Sequence, residues 1–239
     1  MIIEPRVRGF ICMTAHPGGC AANVADQIAL VQERGPIRGP RSVLIIGGST
    51  GYGLASRVVS AFGCGAKTIG VYFERSGSAK RSASAGWYNS AAFEREATAA
   101  GLGAWSYNGD AFSHDAKAKV IDLIKGHLDG SVDLVIYSLA SPRRIHPSSG
   151  KTFNSVIKPI GQPFSGKTID ARSGELGDSQ IEVATDEEIN HTVSVMGGDD
   201  WRLWIDALQG AGVLSSGCRT LAYTYIGPEQ TWPIYRDGT

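Results

Sequence analysis

The residues best suited to chemistry lie in a glycine-rich segment behind a short apolar run. Val43-Leu44-Ile45-Ile46 leads directly into Gly47-Gly48-Ser49-Thr50-Gly51-Tyr52-Gly53. Glycines let backbone amides approach phosphate oxygens because no Cβ intervenes, and a helix behind the turn directs its positive N-terminal end at them. The pattern predicts a strand, a turn and a helix over about residues 54–62 that together bind the pyrophosphate of a dinucleotide.

A carboxylate stands where such a ligand would place its adenosine ribose. Glu74 lies 21 positions after Gly53, at the end of a second apolar run. There it can accept hydrogen bonds from ribose hydroxyls and repel a 2′-phosphate, which favours NADH over NADPH, although the adjacent Arg75 would soften that preference. The alternative is that Glu74 is a solvated strand end.

Two tyrosines near the end of the chain are candidate proton donors. Residues 217–225 predict a fifth strand, whose carboxyl end should lie at the same sheet edge as the glycine turn, where ligands bind in this type of fold. Residues 108–111 and 138–142 should reach that edge too. Tyr225 and Tyr235 carry phenols that are protonated at neutral pH and can donate a hydrogen bond or a proton. Without further information, packing aromatics are an equally good interpretation.

The elements that must position these residues alternate along the chain. Apolar runs predict strands and 3.6-residue periodicity predicts helices between them, and such alternation is typical of an α/β doubly wound, Rossmann-type parallel sheet. The predicted strands are residues 43–46, 68–73, 104–107, 133–137 and 217–225. The predicted helices are residues 54–62, 89–100, 115–128, 185–196 and 201–211, with Thr185 and Glu188 spaced as a capping box.

The domain prediction has two parts. Residues 1–40 form an extension, with a strand over 8–13, a turn at Pro17-Gly18-Gly19 and a helix over 21–33. Residues 41–239 form a nucleotide-binding domain, in which about residues 141–200 form an insertion for the substrate pocket; residues 141–181 are predicted to be loop.

Composition excludes several function classes. Lys and Arg total 23 in 239 residues and balance 23 Asp and Glu, so neither nucleic acid nor a membrane is the expected partner, and a small discrete ligand fits better. Four scattered cysteines without a CxxC pair are predicted to be buried thiols in a reducing compartment, and no signal segment precedes them, so we expect a cytoplasmic protein. A Cys20–His16 nucleophile pair is a minor alternative. Histidine spacing predicts no metal site.

Several long strings resemble one family. Residues 5–11, 47–53, 86–93, 137–144 and 196–201 are similar to FabV-type enoyl-acyl-carrier-protein reductases and the related trans-2-enoyl-CoA reductases, an enlarged branch of the short-chain dehydrogenase fold. The resemblance covers essentially the whole chain. It implies NADH-dependent reduction of the 2,3 double bond of trans-2-enoyl thioesters, on acyl carrier protein or coenzyme A, in fatty acid biosynthesis. It also favours a monomer.

The resemblance also implies roles for individual residues. The pyrophosphate would be held by Gly47, Gly48, Ser49, Thr50, Gly51 and Tyr52. Adenosine would be held by Phe73 and Glu74, adenine by Asp110 and Ala111, and the nicotinamide side by Leu139 and Ala140. Tyr225 would contact the substrate, and Tyr235 would be the proton donor.

One family feature falls beyond the chain. The motif of tyrosine, eight residues and lysine would place its lysine at position 244, after Thr239. We therefore expect a piece of a longer enzyme, weak or inactive in turnover by itself, rather than a naturally short relative. Two other functions stay open: a non-catalytic NADH-binding module, and a short-chain dehydrogenase acting on a keto or hydroxy group, although no lysine follows Tyr235 at the four-residue spacing of that class.

Overall fold

The computed structural model describes residues 2–8, 11–170, 172–196 and 198–239. The chain divides into two compact units. The first runs up to Leu139 and includes Trp204–Tyr223, and the second comprises Ala140–Leu203 and Thr224–Thr239.

The strands of the described residues are β1 (Val7–Arg8), β2 (Ile11–Cys12), β3 (Ser42–Ile46), β4 (Lys67–Tyr72), β5 (Ala104–Asn108), β6 (Val132–Tyr137), β7 (Arg143–Ile145), β8 (Thr152–Asn154), β9 (Phe164–Ile169), β10 (Leu176–Ile181) and β11 (Leu214–Ala222). The helices are α1 (Pro17–Glu33), α2 (Gly51–Val58), α3 (Ala85–Ala99), α4 (His114–His127), α5 (Asp186–Met196), α6 (Asp199–Gly210) and α7 (Trp232–Tyr235). A π-helical turn, Val59–Gly63, continues α2, and a 3₁₀ turn, Glu229–Thr231, precedes α7.

A five-stranded parallel sheet forms the centre of the first unit. Its order is β11-β6-β3-β4-β5. The apolar residues of β3, Val43 to Ile46, are fully buried, as expected of a continuous apolar run covered on both faces. The sheet and its flanking helices confirm the predicted α/β Rossmann-type fold.

Helix α2 is packed against the two helices that cover its outer side. Val24 and Ile28 of α1, Leu54 and Val58 of α2 and Phe93 of α3 belong to one buried cluster. Burial at this density fixes the direction of α2, because an apolar interior tolerates few alternative arrangements. The N-terminal end of α2 is therefore held at a defined place behind the glycine-rich turn.

The fifth strand differs from its prediction. It covers Leu214–Ala222 rather than residues 217–225, so Tyr225 lies beyond it. Gly217 has a φ of 78°, and the pairing with β6 shifts register between Leu214 and Arg219. The glycine with which the predicted strand begins is an irregularity within the observed strand, which starts three residues earlier.

The prediction that residues 141–181 are loop is wrong. Strands β7 and β8 pair antiparallel, and so do β9 and β10. Most side chains of β9 are exposed and polar, so the backbone ladder supports this hairpin without the apolar alternation that identifies a strand in sequence. The capping box is confirmed: Thr185 N–H donates to Glu188 Oε2 at 2.9 Å, and Glu188 N–H donates to Thr185 Oγ1 at 3.2 Å.

The N-terminal predictions also need correction. Instead of one strand over residues 8–13, the short strands β1 and β2 pair antiparallel; Gly9 and Phe10, which the prediction included, lie outside the described residues, as does Gly197 of the string at 196–201. Pro17-Gly18-Gly19 is the first turn of α1 rather than a separate turn. Proline suits a first helical position, and His16 caps the helix by accepting the Gly19 N–H at Nδ1, 3.2 Å away.

Candidate active site

The predicted cofactor residues of the first unit follow the carboxyl ends of its parallel strands. Residues 47–52 follow β3, Phe73 and Glu74 follow β4, Asp110 and Ala111 follow β5, and Leu139 follows β6. Because the strands are parallel and adjacent, these positions lie along one edge of the sheet. Ala140, Tyr225 and Tyr235 belong to the second unit.

The turn after β3 has a shape that requires glycine at its first position. Gly47 has a φ of 91°, and a Cβ there would overlap the Ser138 carbonyl oxygen. The Gly47 and Gly48 amides donate to the Val71 carbonyl at 2.8 and 3.1 Å. These two amides therefore tie the turn to β4 and set the course of the chain into α2.

The start of α2 suits an anion. Thr50 is its N-cap but makes no hydrogen bond there with its side chain, and the first turn contains no acidic residue. The positive end of the helix is therefore not neutralised by its own side chains. Tyr52 on this turn is 70% exposed. These features fit the pyrophosphate of a dinucleotide.

Glu74 faces the glycine-rich turn. The Ser49 hydroxyl donates to Glu74 Oε1 over 2.6 Å, and Ser49 itself is buried. Beside Glu74, the Phe73 side chain is 79% exposed. The carboxylate at the end of β4 thus has a fixed direction, toward the segment predicted to hold the phosphates.

Two residues that the sequence analysis did not single out hold the loop after β5. Trp204 Nε1 and Lys117 Nζ both donate to the Ala111 carbonyl, each over 3.1 Å, and both side chains are buried. Asp110 Oδ1 accepts the Phe112 N–H at 3.0 Å, which closes a local turn. The available signal was the position of Lys117 between the buried residues of α4, where a lysine is rarely found unless it is satisfied.

Arg57 was also missed, although it lies on the helix that follows the glycine-rich turn. It is fully buried, donates to the Trp105 carbonyl at 2.6 Å and to Ser106 Oγ at 3.0 Å, and stacks over Phe93 with its carbon 4.4 Å from the ring centre. Burial lowers its pKa to about 10, and the nearby Glu94 carboxylate opposes that change. Arg57 thereby joins α2 to α3 and β5.

In the second unit, Tyr225 and Tyr235 contact each other. Their rings meet edge to face, with centroids 4.6 Å apart and planes at 83°. Tyr225 is 61% exposed, and Tyr235 ends the short helix α7. Elsewhere in this unit, the buried Arg144 and Asp200 pair at 3.6 Å, a contact that sequence reasoning did not foresee.

Cys20 and His16 are not arranged as an activated nucleophile pair. Burial raises the pKa of the Cys20 thiol, the opposite of what a nucleophilic thiolate needs, and His16 Nδ1 is engaged by a backbone amide. All four cysteines are free, as predicted, but Cys12 is exposed and the others are half-buried, so their prediction as buried thiols is wrong. Among the described residues, no group of three His, Cys, Asp or Glu side chains is arranged for a metal ion.

Family models match almost the whole chain. The description "NAD(P)H binding domain of trans-2-enoyl-CoA reductase" matches residues 2–79, and "Trans-2-enoyl-CoA reductase catalytic region" matches residues 81–239. The chain belongs to the trans-2-enoyl-CoA reductase family. The resemblance seen in the sequence is thereby confirmed. Residues 47–52, Phe73 and Glu74 lie within the matched NAD(P)H-binding domain, whereas Asp110, Ala111 and Leu139 lie within the matched catalytic region.

Relatives and solved structures agree with this assignment. The chain is 60% identical over 240 residues to an enoyl-[acyl-carrier-protein] reductase [NADH] of Coxiella burnetii, covering 100% of this chain and 59% of that protein. It is 56% identical to a trans-2-enoyl-CoA reductase [NADH] of Ruminiclostridium cellulolyticum, covering 100% and 60%. The crystal structure of Treponema denticola trans-2-enoyl-CoA reductase in complex with NAD superposes with a TM-score of 0.93 at 48% identity, covering 100% and 61%. The chain thus spans about three fifths of these relatives' length.

No helix among the described residues has both the length and the apolar character needed to cross a bilayer.

Proposed function

We propose that the protein reduces the 2,3 double bond of trans-2-enoyl thioesters, carried on acyl carrier protein or coenzyme A, with NADH. The observation that carries this proposal is the family match over nearly the full chain, together with a glycine turn, an uncapped helix start and a fixed carboxylate at one sheet edge. The names of relatives, which specify NADH and either carrier, support it.

In this proposal, the chain holds the dinucleotide at the edge of the sheet. Residues 47–52 and the start of α2 bind the pyrophosphate, and Gly47 and Gly48 also shape the turn. Phe73 and Glu74 bind the adenosine. Asp110 and Ala111 bind the adenine, and Leu139 and Ala140 lie on the nicotinamide side. When bound, NADH supplies the hydride that reduces the β-carbon.

Tyr235 is proposed as the proton donor and Tyr225 as a substrate contact. Negative charge develops on the thioester oxygen during reduction, and a phenol that donates a hydrogen bond to it acts where the charge appears in the transition state. The edge-to-face contact of the two rings supports their joint role, because each ring restricts the other's orientation.

Residues 141–200 are proposed to build the substrate pocket, as an insertion in a nucleotide-binding domain of residues 41–239 that follows an extension over 1–40. We further infer a cytoplasmic monomer.

NADH oxidation by the full-length protein with crotonyl-CoA tests the proposal. Tyr235→Phe should lower kcat by roughly 10²–10⁴-fold, since it removes the acid. Tyr225→Phe should act mainly on KM. Tyr107→Phe, which removes a phenol bonded to Asp115 at 3.3 Å, is the control and should leave both constants within about twofold.

The outcomes separate the alternatives. NADH binding without oxidation by crotonyl-CoA would favour a non-catalytic binding module. Turnover of a keto or hydroxy compound, with none of the enoyl thioester, would favour the short-chain dehydrogenase alternative. Either result would overturn the reductase proposal, whereas size-exclusion chromatography tests the monomer separately.

A further inference from the structure

A hydrogen bond from Ser49 holds the Glu74 carboxylate. Ser49 Oγ donates to Glu74 Oε1 at 2.6 Å, a short bond to an ionised acceptor, and Ser49 is only 7% exposed. Bonds of this type are roughly twice as strong as neutral ones. The contact joins the turn after β3 to the residue after β4, so one carboxylate oxygen is already engaged by a group from the predicted phosphate segment.

The backbone at both ends of this bond is anchored by asparagines. Asn108 Oδ1 accepts the Glu74 N–H at 2.8 Å, and Asn108 Nδ2 donates to the Glu74 carbonyl at 2.9 Å. Asn89 Nδ2 donates to the Ser49 carbonyl at 3.1 Å, and Asn89 is buried. Neither Ser49 nor Glu74 can shift without breaking a backbone contact to an asparagine. The hydrogen bond between their side chains therefore joins two anchored residues.

The first turn of α3 closes the third side. A Cβ on Gly86 would overlap the Glu74 carboxylate and would lie 2.8 Å from Ser49 Oγ. The helix backbone therefore approaches the carboxylate more closely than any side chain would allow. Its N-terminal end also places positive charge beside the anion, which favours this position further.

From this arrangement we propose that Ser49 and Gly86 are specificity-determining residues that fix Glu74 as the group that rejects a 2′-phosphate. A glutamate at a free strand end would rotate away from a phosphate at little cost. A carboxylate held by Ser49, with α3 close behind it, keeps its charge where the adenosine ribose is proposed to lie, so discrimination combines attraction for one cofactor with repulsion of the other. The inference rests on the proposed function, because it takes NADH as the ligand of this edge.

The experiment measures the dissociation constants of NADH and NADPH for the full-length protein, by nicotinamide fluorescence without substrate. Ser49→Ala should lower the ratio of the NADPH constant to the NADH constant about tenfold, since one charge-assisted bond is lost. Ser49→Thr keeps a hydroxyl and should restore the ratio to within about threefold of wild type. Gly86→Ala should lower it as Ser49→Ala does, because the new methyl group displaces the carboxylate.

Matched controls come from the same unit. Ser60→Ala removes a buried hydroxyl that donates to the Ser56 carbonyl at 2.7 Å, and Gly126→Ala adds a methyl group that meets nothing within 4 Å beyond the neighbouring backbone of its own helix. Both should keep the wild-type ratio. Thermal unfolding of the ligand-free variants shows which of them are folded, and if Gly86→Ala is not, the Ser49 pair decides.

Two outcomes distinguish a failure of the proposed function from a failure of this inference. A wild-type protein that binds neither dinucleotide refutes the proposed function itself. If wild type prefers NADH and Glu74→Gln abolishes that preference, but Ser49→Ala behaves as Ser60→Ala does, then Glu74 discriminates without being fixed, and the inference alone is overturned.

Discussion

Tyr52 and Tyr223 stack on each other, with ring centroids 5.5 Å apart and planes 24° from parallel. Tyr223 follows the end of β11, and its hydroxyl lies 2.7 Å from Ser56 Oγ, on the next turn of α2. Ser56 in turn donates to the Tyr52 carbonyl at 2.7 Å. The glycine-rich turn is thus supported from a strand two places away in the sheet.

This stack predicts a graded effect on NADH binding. Tyr223→Leu removes a ring pair worth about 0.5–1.5 kcal/mol, so NADH should bind roughly two- to twelvefold more weakly, because Tyr52 loses its orientation. Tyr223→Phe keeps the ring and should have a smaller effect. Calorimetric titration measures both, and equal constants for Tyr223→Leu and wild type would show that the stack has no part in binding.

Lys117 and Trp204 both donate to the Ala111 carbonyl, so we expect substitutions of two lysines of α4 to differ in their effect on stability. Lys117→Met leaves that carbonyl with one donor fewer in a buried site, so the free energy of unfolding should fall by about 1–3 kcal/mol. Lys119→Met, at an exposed position of the same helix, should change it by less than about 0.5 kcal/mol. Urea unfolding compares them, and NADH should also bind more weakly to the Lys117 variant alone.

Arg57 predicts a loss of stability that is independent of pH over the ordinary range. Arg57→Met leaves the Trp105 carbonyl and Ser106 without their donor and should cost roughly 2–4 kcal/mol. Burial holds the pKa of Arg57 near 10, below its unfolded value, so below about pH 10 the side chain is charged in both states and its contribution is constant. Arg95→Met, on the exposed surface of α3, is the control. A cost that changed between about pH 6 and pH 8, a range that excludes protonation of the neighbouring Glu94 by strong acid, would contradict this assignment.

For Asp133 we expect a contribution to stability that depends on pH. It accepts the Arg41 and Ser42 amides at 2.9 and 3.1 Å and the Ser215 hydroxyl at 3.0 Å. Burial opposes ionisation, but these bonds outweigh it and hold the pKa of Asp133 below its ordinary value. A lowered carboxyl pKa stabilises the fold at neutral pH, and this contribution is lost as the pH falls through the folded-state value.

The test compares wild type with Asp133→Asn by urea unfolding across acidic pH. The difference in free energy of unfolding should be largest near neutrality and should shrink on acidification. Asp122→Asn, on α4, is a suitable control for a lost charge. A difference that stays constant down to acidic pH would show that the ionisation of Asp133 does not contribute to the stability of the fold.

The sequence by itself determined the family, the α/β class and most elements of the central sheet. Continuous apolar runs such as residues 43–46 leave a strand few alternatives to full burial, and glycines behind such a run mark a turn. It did not determine the hairpins within residues 141–181, because exposed polar strands are held by backbone pairing that leaves little trace in side-chain pattern. The bulge at Gly217 was likewise not predicted, because a glycine in the sequence does not show whether a strand ends there or continues with a change of register.

Only the tertiary structure decided which side chains support the sheet edge. Ser49 and Glu74 are 25 positions apart and Ala111 and Trp204 are 93 apart, so no local periodicity relates them. Their contacts exist because adjacent parallel strands end side by side and because α6 places Trp204 beside the loop after β5. Sequence pattern reports the local preference of each segment, whereas the direction of the Glu74 carboxylate depends on where three separate segments meet.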